Sequence, residues 1–219
     1  MRRNLKNNKY REILFWLLLL SSWQFLASPG TRNGIIGAFG TVAFLLFAWA
    51  NLDRFDRLGF EYACWRSVQA RIWAFAIASG PIAGVTVSWI ACVSGEMIRL
   101  SNDRKLLLLQ VTLGPVLEEI VFRGYVFALL LWAFTRIGRG RWNPWVVVIA
   151  AVLFAVVHLA HPGVNCLQMA CITSTGALYG WIRYFSGSAA PAAVSHAMYN
   201  LTLYGIAGTL AAIPKTPHW

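Results

Sequence analysis

The sequence predicts an all-α integral membrane protein, a polytopic bundle of about seven transmembrane helices with a range of six to eight. Of the 219 residues, 58% are hydrophobic and only 12% are charged. The mean hydropathy of +0.57 is too high for a soluble domain of this size. The apolar residues also come in separate runs, most of them long enough to cross a bilayer. No repeat, low-complexity tract or linker divides the chain, so residues 1–219 are expected to form a single membrane-embedded domain.

Seven apolar runs supply the predicted spans. The first follows a basic N-terminus as in a signal peptide, but Phe25-Leu26-Ala27 lacks the small residue of a cleavage site, which favours an uncleaved span. The longest run has 30 residues, about 45 Å as a straight helix, so it must tilt, break or protrude from a hydrocarbon core of about 30 Å. We expect a break at Gly114-Pro115. The runs are Ile13–Ala27, Gly34–Ala50, Ile72–Ser94, Leu106–Thr135, Trp145–Ala160, Val164–Tyr184 and Ala189–Ile213.

The basic residues predict the orientation of these spans. With a cytoplasmic N-terminus, thirteen Lys and Arg residues fall in inside segments, Arg183 among them, and five fall in outside segments. This favours an N-in protein, which we place in the cytoplasmic (inner) membrane of a bacterium. The connection Asn51–Arg71 carries mixed charges and predicts a short solvated surface helix.

Other classes of protein fit the composition poorly. The formal charge of +11 is spread over short loops without a continuous basic face, so the expected partners are the lipid bilayer and a membrane substrate, with no nucleic acid. The four cysteines form no CxxC pair and have no histidine at metal spacing. They are expected to be small buried hydrophobic residues.

Three ionisable residues interrupt the longest apolar run. On a helix Glu119 and Arg123 are four residues apart and share a face, with the acid first, which favours an ion pair. Glu118 points about 100° away and is predicted to be the carboxylate available to titrate. Each charge at the centre of a span costs roughly 2.5 to 3.5 kcal/mol, so such groups usually mark a functional polar cavity. A buried network that only fixes helix packing is the alternative.

Two later spans carry further polar residues at helical spacing. Phe154 and His158 share one helix face, and so do His196 and Asn200. Each histidine taken alone could be a packing residue. In straight spans Glu118 would lie at mid-depth with His158 and His196 toward opposite ends, so a single site requires tilted spans or a broken long run.

Together these residues supply a carboxylate base, a histidine beside it and a pair of hydrogen-bond donors, the parts needed to hydrolyse an amide. Three other protease motifs are absent from the sequence: HExxH, G-x-G-D and a G-x-S-x-G elbow around Ser174.

The three motifs resemble those of the CPBP family of intramembrane proteases, which includes CAAX-prenyl proteases and bacteriocin-processing or self-immunity proteins. The family motifs E-E-x-x-x-R, F-x-x-x-H and H-x-x-x-N match here as Glu118-Glu119-Ile-Val-Phe122-Arg123, Phe154-Ala-Val-Val-His158 and His196-Ala-Met-Tyr-Asn200. The resemblance covers about residues 115–200, which we take as the protease core.

The resemblance implies a membrane endopeptidase without a cofactor. It implies that Glu118 activates water with the help of His158, that His196 and Asn200 form the oxyanion hole, and that Glu119 and Arg123 orient and balance the site. Phe122 and Phe154 would support it. The substrate would be a membrane-associated protein or peptide, either a prenylated C-terminal peptide or a leader or sorting segment.

Two alternatives stay open at this point. Glu118, His158 and His196 could instead bind zinc, with water as the fourth ligand, in a metalloprotease. A non-catalytic protein, such as a bacteriocin-immunity or peptide-binding protein, could use the same polar cavity for binding alone.

Overall fold

The computed structural model describes residues 62–96, 104–136, 144–159 and 164–212, all of which belong to one of the chain's two units. Within these ranges the chain forms helices and short connections and no strand, so the all-α prediction is confirmed. The elements are α1 (Tyr62–Arg66), α2 (Ala70–Val93), α3 (Arg104–Val111), α4 (Leu113–Glu119), a π-helical stretch called here the π-segment (Ile120–Val126), α5 (Phe127–Arg136), α6 (Trp145–His158), α7 (Cys166–Ser186) and α8 (Ala190–Ala212).

The predicted spans correspond only in part to long helices. Among the described residues, α2 is the one helix both long and apolar enough to cross a membrane. The first two predicted spans, 13–27 and 34–50, lie outside the described residues, so the count of seven stays a prediction. The expected surface helix is represented in the described residues by α1, on which Trp65 and Arg66 are exposed.

The long run at 106–135 is broken, as expected, but earlier than expected. Helix α3 ends at Val111, and Thr112 separates it from α4, so Gly114 and Pro115 lie inside the next helix. Proline lacks an N–H and its ring crowds the carbonyl four residues earlier. For Pro115 that carbonyl belongs to Val111, which explains why the break falls there.

Local sequence also fixes both ends of α7. Asn165 caps its start, accepting a bond from the Gln168 N–H at 2.9 Å while the Gln168 side chain bonds back to the Asn165 N–H. The Asn165 side chain also donates to Glu96 at 2.7 Å, which ties this end to the residues after α2. At the other end Gly187 has a φ of +69° and closes the helix with a bond to the carbonyl of Arg183.

Small residues allow the closest helix contacts. Gly80 of α2 lies against Ser195 and Tyr199 of α8, and Gly84 lies against Tyr199 and Thr202. Residue numbers rise together along both helices, so α2 and α8 run parallel. Glycine and serine at such contacts are typical of helices packed in membranes.

Helices α6 and α7 pack in the opposite sense. Gly176 faces Ala151 and Phe154, whereas Gly180 faces Val147. Val147 also belongs to an apolar cluster with Phe127, Val146 and Ala150, which joins α5 to α6. This packing brings the C-terminal end of α6, which carries His158, toward the N-terminal half of α7.

The cysteine prediction is wrong for two of the four residues. Cys92 and Cys166 are exposed, and Cys64 and Cys171 are only partly buried. None of the four forms a disulfide. Small size therefore does not place these residues in the core.

Candidate active site

Three helices bring the predicted carboxylate and both predicted histidines together. Glu118 lies in the last turn of α4, His158 ends α6, and His196 lies in the second turn of α8. The Glu118 Oε2 atom is 4.0 Å from Nε2 of His158 and 3.8 Å from Nε2 of His196. Residues that are 78 positions apart in the sequence therefore face one another across a single small site.

The second carboxylate belongs to a buried network. The Arg123 guanidinium donates from Nη1 to Glu119 Oε1 at 3.0 Å, so the expected ion pair is present, and both side chains have 0% exposure. The same Glu119 oxygen lies 3.0 Å from Nδ1 of His196. Arg123 also donates from Nη2 to the main-chain carbonyl of Gly176 at 2.7 Å, which ties the network to α7.

The two glutamates therefore have different surroundings. Glu118 and His158 keep 15% and 19% of their side-chain surface exposed, in contrast to the fully enclosed Glu119 and Arg123. An incoming molecule can reach Glu118 but cannot reach Glu119. The helix-face argument, which separated the two carboxylates, agrees with this arrangement.

Aromatic rings enclose the network. Phe154 contacts His158, His196 and Phe122 at ring-centroid distances of 4.7, 5.9 and 5.0 Å, and its face lies 4.5 Å from the Arg123 guanidinium carbon. Tyr179 stacks on His196 at 4.7 Å with an interplanar angle of 18°. These contacts hold both imidazoles and the guanidinium in fixed planes.

Hydrogen bonds determine which nitrogen of each imidazole faces Glu118. Nδ1 of His158 lies 2.8 Å from the carbonyl of Phe154, which can only accept a hydrogen bond. Nδ1 of His196 faces the Glu119 carboxylate, which is also an acceptor when ionised. Both Nδ1 atoms therefore donate, and both Nε2 atoms point toward Glu118.

This donor set suits either a water molecule or a metal ion. Histidine ligands of metals usually donate their other N–H to a carbonyl or carboxylate, as both do here. In the described part of the chain, however, no three His, Cys, Asp or Glu side chains meet the spacing expected of a metal-binding group. The choice between glutamic and metallo chemistry stays open for experiment.

Asn200 lies one turn beyond His196 on α8, but its side chain makes a contact that the sequence did not predict. Its Nδ2 donates to the main-chain carbonyl of Gln110 in α3 at 2.8 Å. That bond joins α8 to the helix just before the break at Thr112. A second hydrogen on Nδ2 is not used by this bond, so an oxyanion role for Asn200 stays a prediction.

Sequence reasoning missed two residues of this region. Tyr179 has no charge and lies in an apolar run, so nothing marked it as the ring stacked on His196. Arg183 was counted among the basic residues of the inside segments, and its enclosure within the helix bundle was not predicted, although α7 continues past it to Ser186. Arg183 is 7% exposed and donates from Nε to the carbonyl of Arg123 at 2.9 Å. The sequence did offer a signal for this residue, because Arg183 places a positive charge inside the predicted span Val164–Tyr184.

The comparison with protein families agrees with the geometry. Residues 101–202 match the model for type II CAAX prenyl endopeptidases, described as Rce1-like. This part, somewhat less than half of the chain, is similar to the Rce1-like family. No curated protein and no solved structure gives a significant match.

This match bears out the resemblance drawn from the three motifs, all of which lie in the matched region. Proteins of this family are membrane-embedded, and the match implies peptidase activity. Helix α2 lies before the matched residues, although it packs directly against the helix that carries His196.

Proposed function

We propose that this protein is an intramembrane endopeptidase in which Glu118 activates a water molecule to hydrolyse a peptide bond of a membrane-associated protein or peptide. The observation that supports this is the approach of one accessible carboxylate oxygen to Nε2 of both His158 and His196, at 4.0 and 3.8 Å. These distances are too long for direct hydrogen bonds, and a water molecule lying beside the three atoms could bridge them.

In the proposed reaction, Glu118 accepts a proton from water while His158 orients that water. The water oxygen forms a bond to the scissile carbonyl carbon, and the carbonyl π electrons move onto its oxygen. Collapse of this intermediate breaks the C–N bond, and the proton on Glu118 passes to the leaving amine. General-base catalysis of this kind typically contributes about 100- to 10,000-fold in rate.

His196 and Asn200 are the proposed donors to the developing oxyanion. Because Nδ1 of His196 already donates to Glu119, a bond from Nε2 to the oxyanion requires the doubly protonated ring. The Glu119 carboxylate on one side and the stacked Tyr179 ring on the other hold that imidazole in place. Asn200 would contribute the amide hydrogen that Gln110 does not use.

The decisive test is the Glu118→Gln variant. It should reduce cleavage of a fluorescence-quenched prenylated CAAX peptide by about 100- to 10,000-fold, because an amide cannot accept the proton. Glu96→Gln is the matched control, since that acid bonds Asn165 outside the site. Mass spectrometry of membrane-protein termini in cells with wild type or Glu118→Gln would identify natural substrates. Near-normal cleavage by a folded Glu118→Gln protein would overturn the assignment.

The metalloprotease alternative follows from the orientation of both Nε2 atoms toward Glu118. The glutamate mechanism predicts full activity after chelator treatment and no stoichiometric metal in the purified protein. Activity that is lost on chelation and restored by zinc would assign Glu118, His158 and His196 as ligands. Peptide binding without cleavage, unchanged in Glu118→Gln, would favour the non-catalytic alternative.

A further inference from the structure

Two arginines join the π-segment to α7 by hydrogen bonds that run in opposite directions. Arg123, on the π-segment, donates to the carbonyl of Gly176 on α7 at 2.7 Å. Arg183, on α7, donates from Nε to the carbonyl of Arg123 at 2.9 Å. The two contact points on α7 are about two helical turns apart. A pair of bonds so separated restrains both sliding and rotation of one helix against the other.

The Arg183 bond reaches the main chain where its hydrogen bonding departs from the α-helical pattern. In an α-helix the carbonyl of Arg123 would accept from the N–H of Phe127. Here the Phe127 N–H donates instead to the carbonyls of Gly124 and Phe122. Arg183 supplies a side-chain donor to the Arg123 carbonyl, and its guanidinium carbon lies 5.7 Å from the centre of the Phe127 ring.

Enclosing a charged side chain between apolar helices costs free energy, and such residues usually have a functional role. From Arg183 an unbroken series of contacts leads to the site. Its donor reaches the main chain of Arg123, the Arg123 side chain binds Glu119 at 3.0 Å, and the same Glu119 oxygen holds Nδ1 of His196 at 3.0 Å. Arg183 thus fixes the backbone that carries Arg123, and the Arg123 side chain in turn fixes the Glu119 carboxylate.

We infer that Arg183 is a positioning residue for the peptidase site: through the Arg123 carbonyl it sets the rotation and register of the π-segment, and thereby the placement of Glu119 and His196. The kinetic part of this inference rests on the proposed function. Its structural part, the anchoring of the π-segment, does not require any activity.

The test uses Arg183→Met and Arg183→Lys in the full-length protein, purified in detergent. Methionine removes the donor and the charge, whereas lysine keeps the charge but has no counterpart of Nε or of the planar guanidinium over Phe127. Arg71→Met, which removes an exposed arginine from the first turn of α2, is the control.

Hydrogen exchange gives the readout that is independent of activity. Loss of a bond from a charged donor should speed amide exchange within residues 120–126 roughly tenfold or more in both Arg183 variants, with the middle of α2 unchanged. Unchanged exchange in the π-segment of both variants would overturn the anchoring role.

Kinetics with the quenched prenylated CAAX peptide separates positioning from general stability. Misplacement of catalytic groups by about 1 Å can cost about 100-fold in rate, so kcat should fall by that order while KM stays within about twofold. Wild-type kcat in Arg183→Lys would show that only the charge matters and would overturn the inference. If wild type cleaves neither this peptide nor any membrane protein in the comparison of termini with Glu118→Gln, the proposed function fails, and the exchange data still decide the anchoring.

Discussion

Helix α8 meets two very different surroundings on its two sides. Toward α2 it presents Ser195, against Gly80 and the hydroxyl of Ser79, with hardly any space between the main chains. Toward α4 and the π-segment it presents His196, the next residue in the sequence, which is held by a carboxylate and a stacked ring. Close packing on one side gives the helix a fixed position from which the other side can present a polar group accurately.

The largest expected effect lies on the polar side. Arg123→Met should lower the free energy of unfolding by about 3–5 kcal/mol, because it leaves the enclosed Glu119 carboxylate without its guanidinium. The measurement is SDS-induced unfolding of the purified protein in mixed micelles. Arg71→Met, with the same chemical change on an exposed face, should stay within about 0.5 kcal/mol of wild type. Equal losses of unfolding free energy in the two variants would mean that the buried Arg123–Glu119 pair contributes no more to stability than an exposed arginine does.

The close-packed side should respond less strongly. A Cβ at Gly80 would collide with the main-chain oxygen of Ser195, and it would lie 2.9 Å from Cβ of Met198. Gly80→Ala should therefore cost about 1–3 kcal/mol in the same unfolding assay, since α2 and α8 must separate slightly.

Gly205→Ala provides the matched comparison for Gly80→Ala. Nothing lies within 4 Å of a Cβ built there, so this substitution should be neutral or stabilise the helix by up to about 1 kcal/mol. If Gly80→Ala were as harmless as Gly205→Ala, the α2–α8 contact would be looser than the structure indicates.

The smallest expected effect is the loss of the hydroxyl contact between Ser79 and Ser195 on the close-packed side. Ser79→Ala removes a buried hydroxyl pair whose oxygens are 3.0 Å apart, and hydrogen bonds between membrane helices average about 0.6 kcal/mol. The unfolding free energy should fall by roughly that amount. A loss above about 2 kcal/mol would show that hydroxyl bonding, and not packing of small residues, holds α2 to α8.

Helical spacing was sufficient to predict the local part of the site. Glu119 and Arg123 pair because residues four apart lie on one face, and the same rule separated Glu118 from them. The position of the break was harder to predict, since Pro115 acts on the carbonyl of Val111 and not at its own position.

The mutual approach of the three polar groups depended on tertiary structure. Straight spans would place Glu118, His158 and His196 at different depths. The structure instead brings Nε2 of both histidines within 4.0 Å of the Glu118 carboxylate. The long run is not a straight helix, because it is interrupted at Thr112 and changes to π-helical geometry at Ile120. Neither the extent of such a stretch nor its effect on facing residues can be read from hydropathy alone. For the same reason, the apolar runs did not predict that Arg183 contacts the π-segment.

The π-segment has a consequence for how this part of the chain tolerates changes in length. A stretch with i→i+5 bonds accommodates additional residues within an otherwise α-helical path. Deleting one residue between 120 and 126 would let the stretch revert to regular α-helix and keep Phe127 near Val146 and Val147, whereas a deletion within a regular α-helix turns everything downstream by about 100°. The segment thus adjusts the helical phase between Glu118 and the apolar cluster of α5 and α6, and it should tolerate the loss of one residue better than the regular helices beside it do.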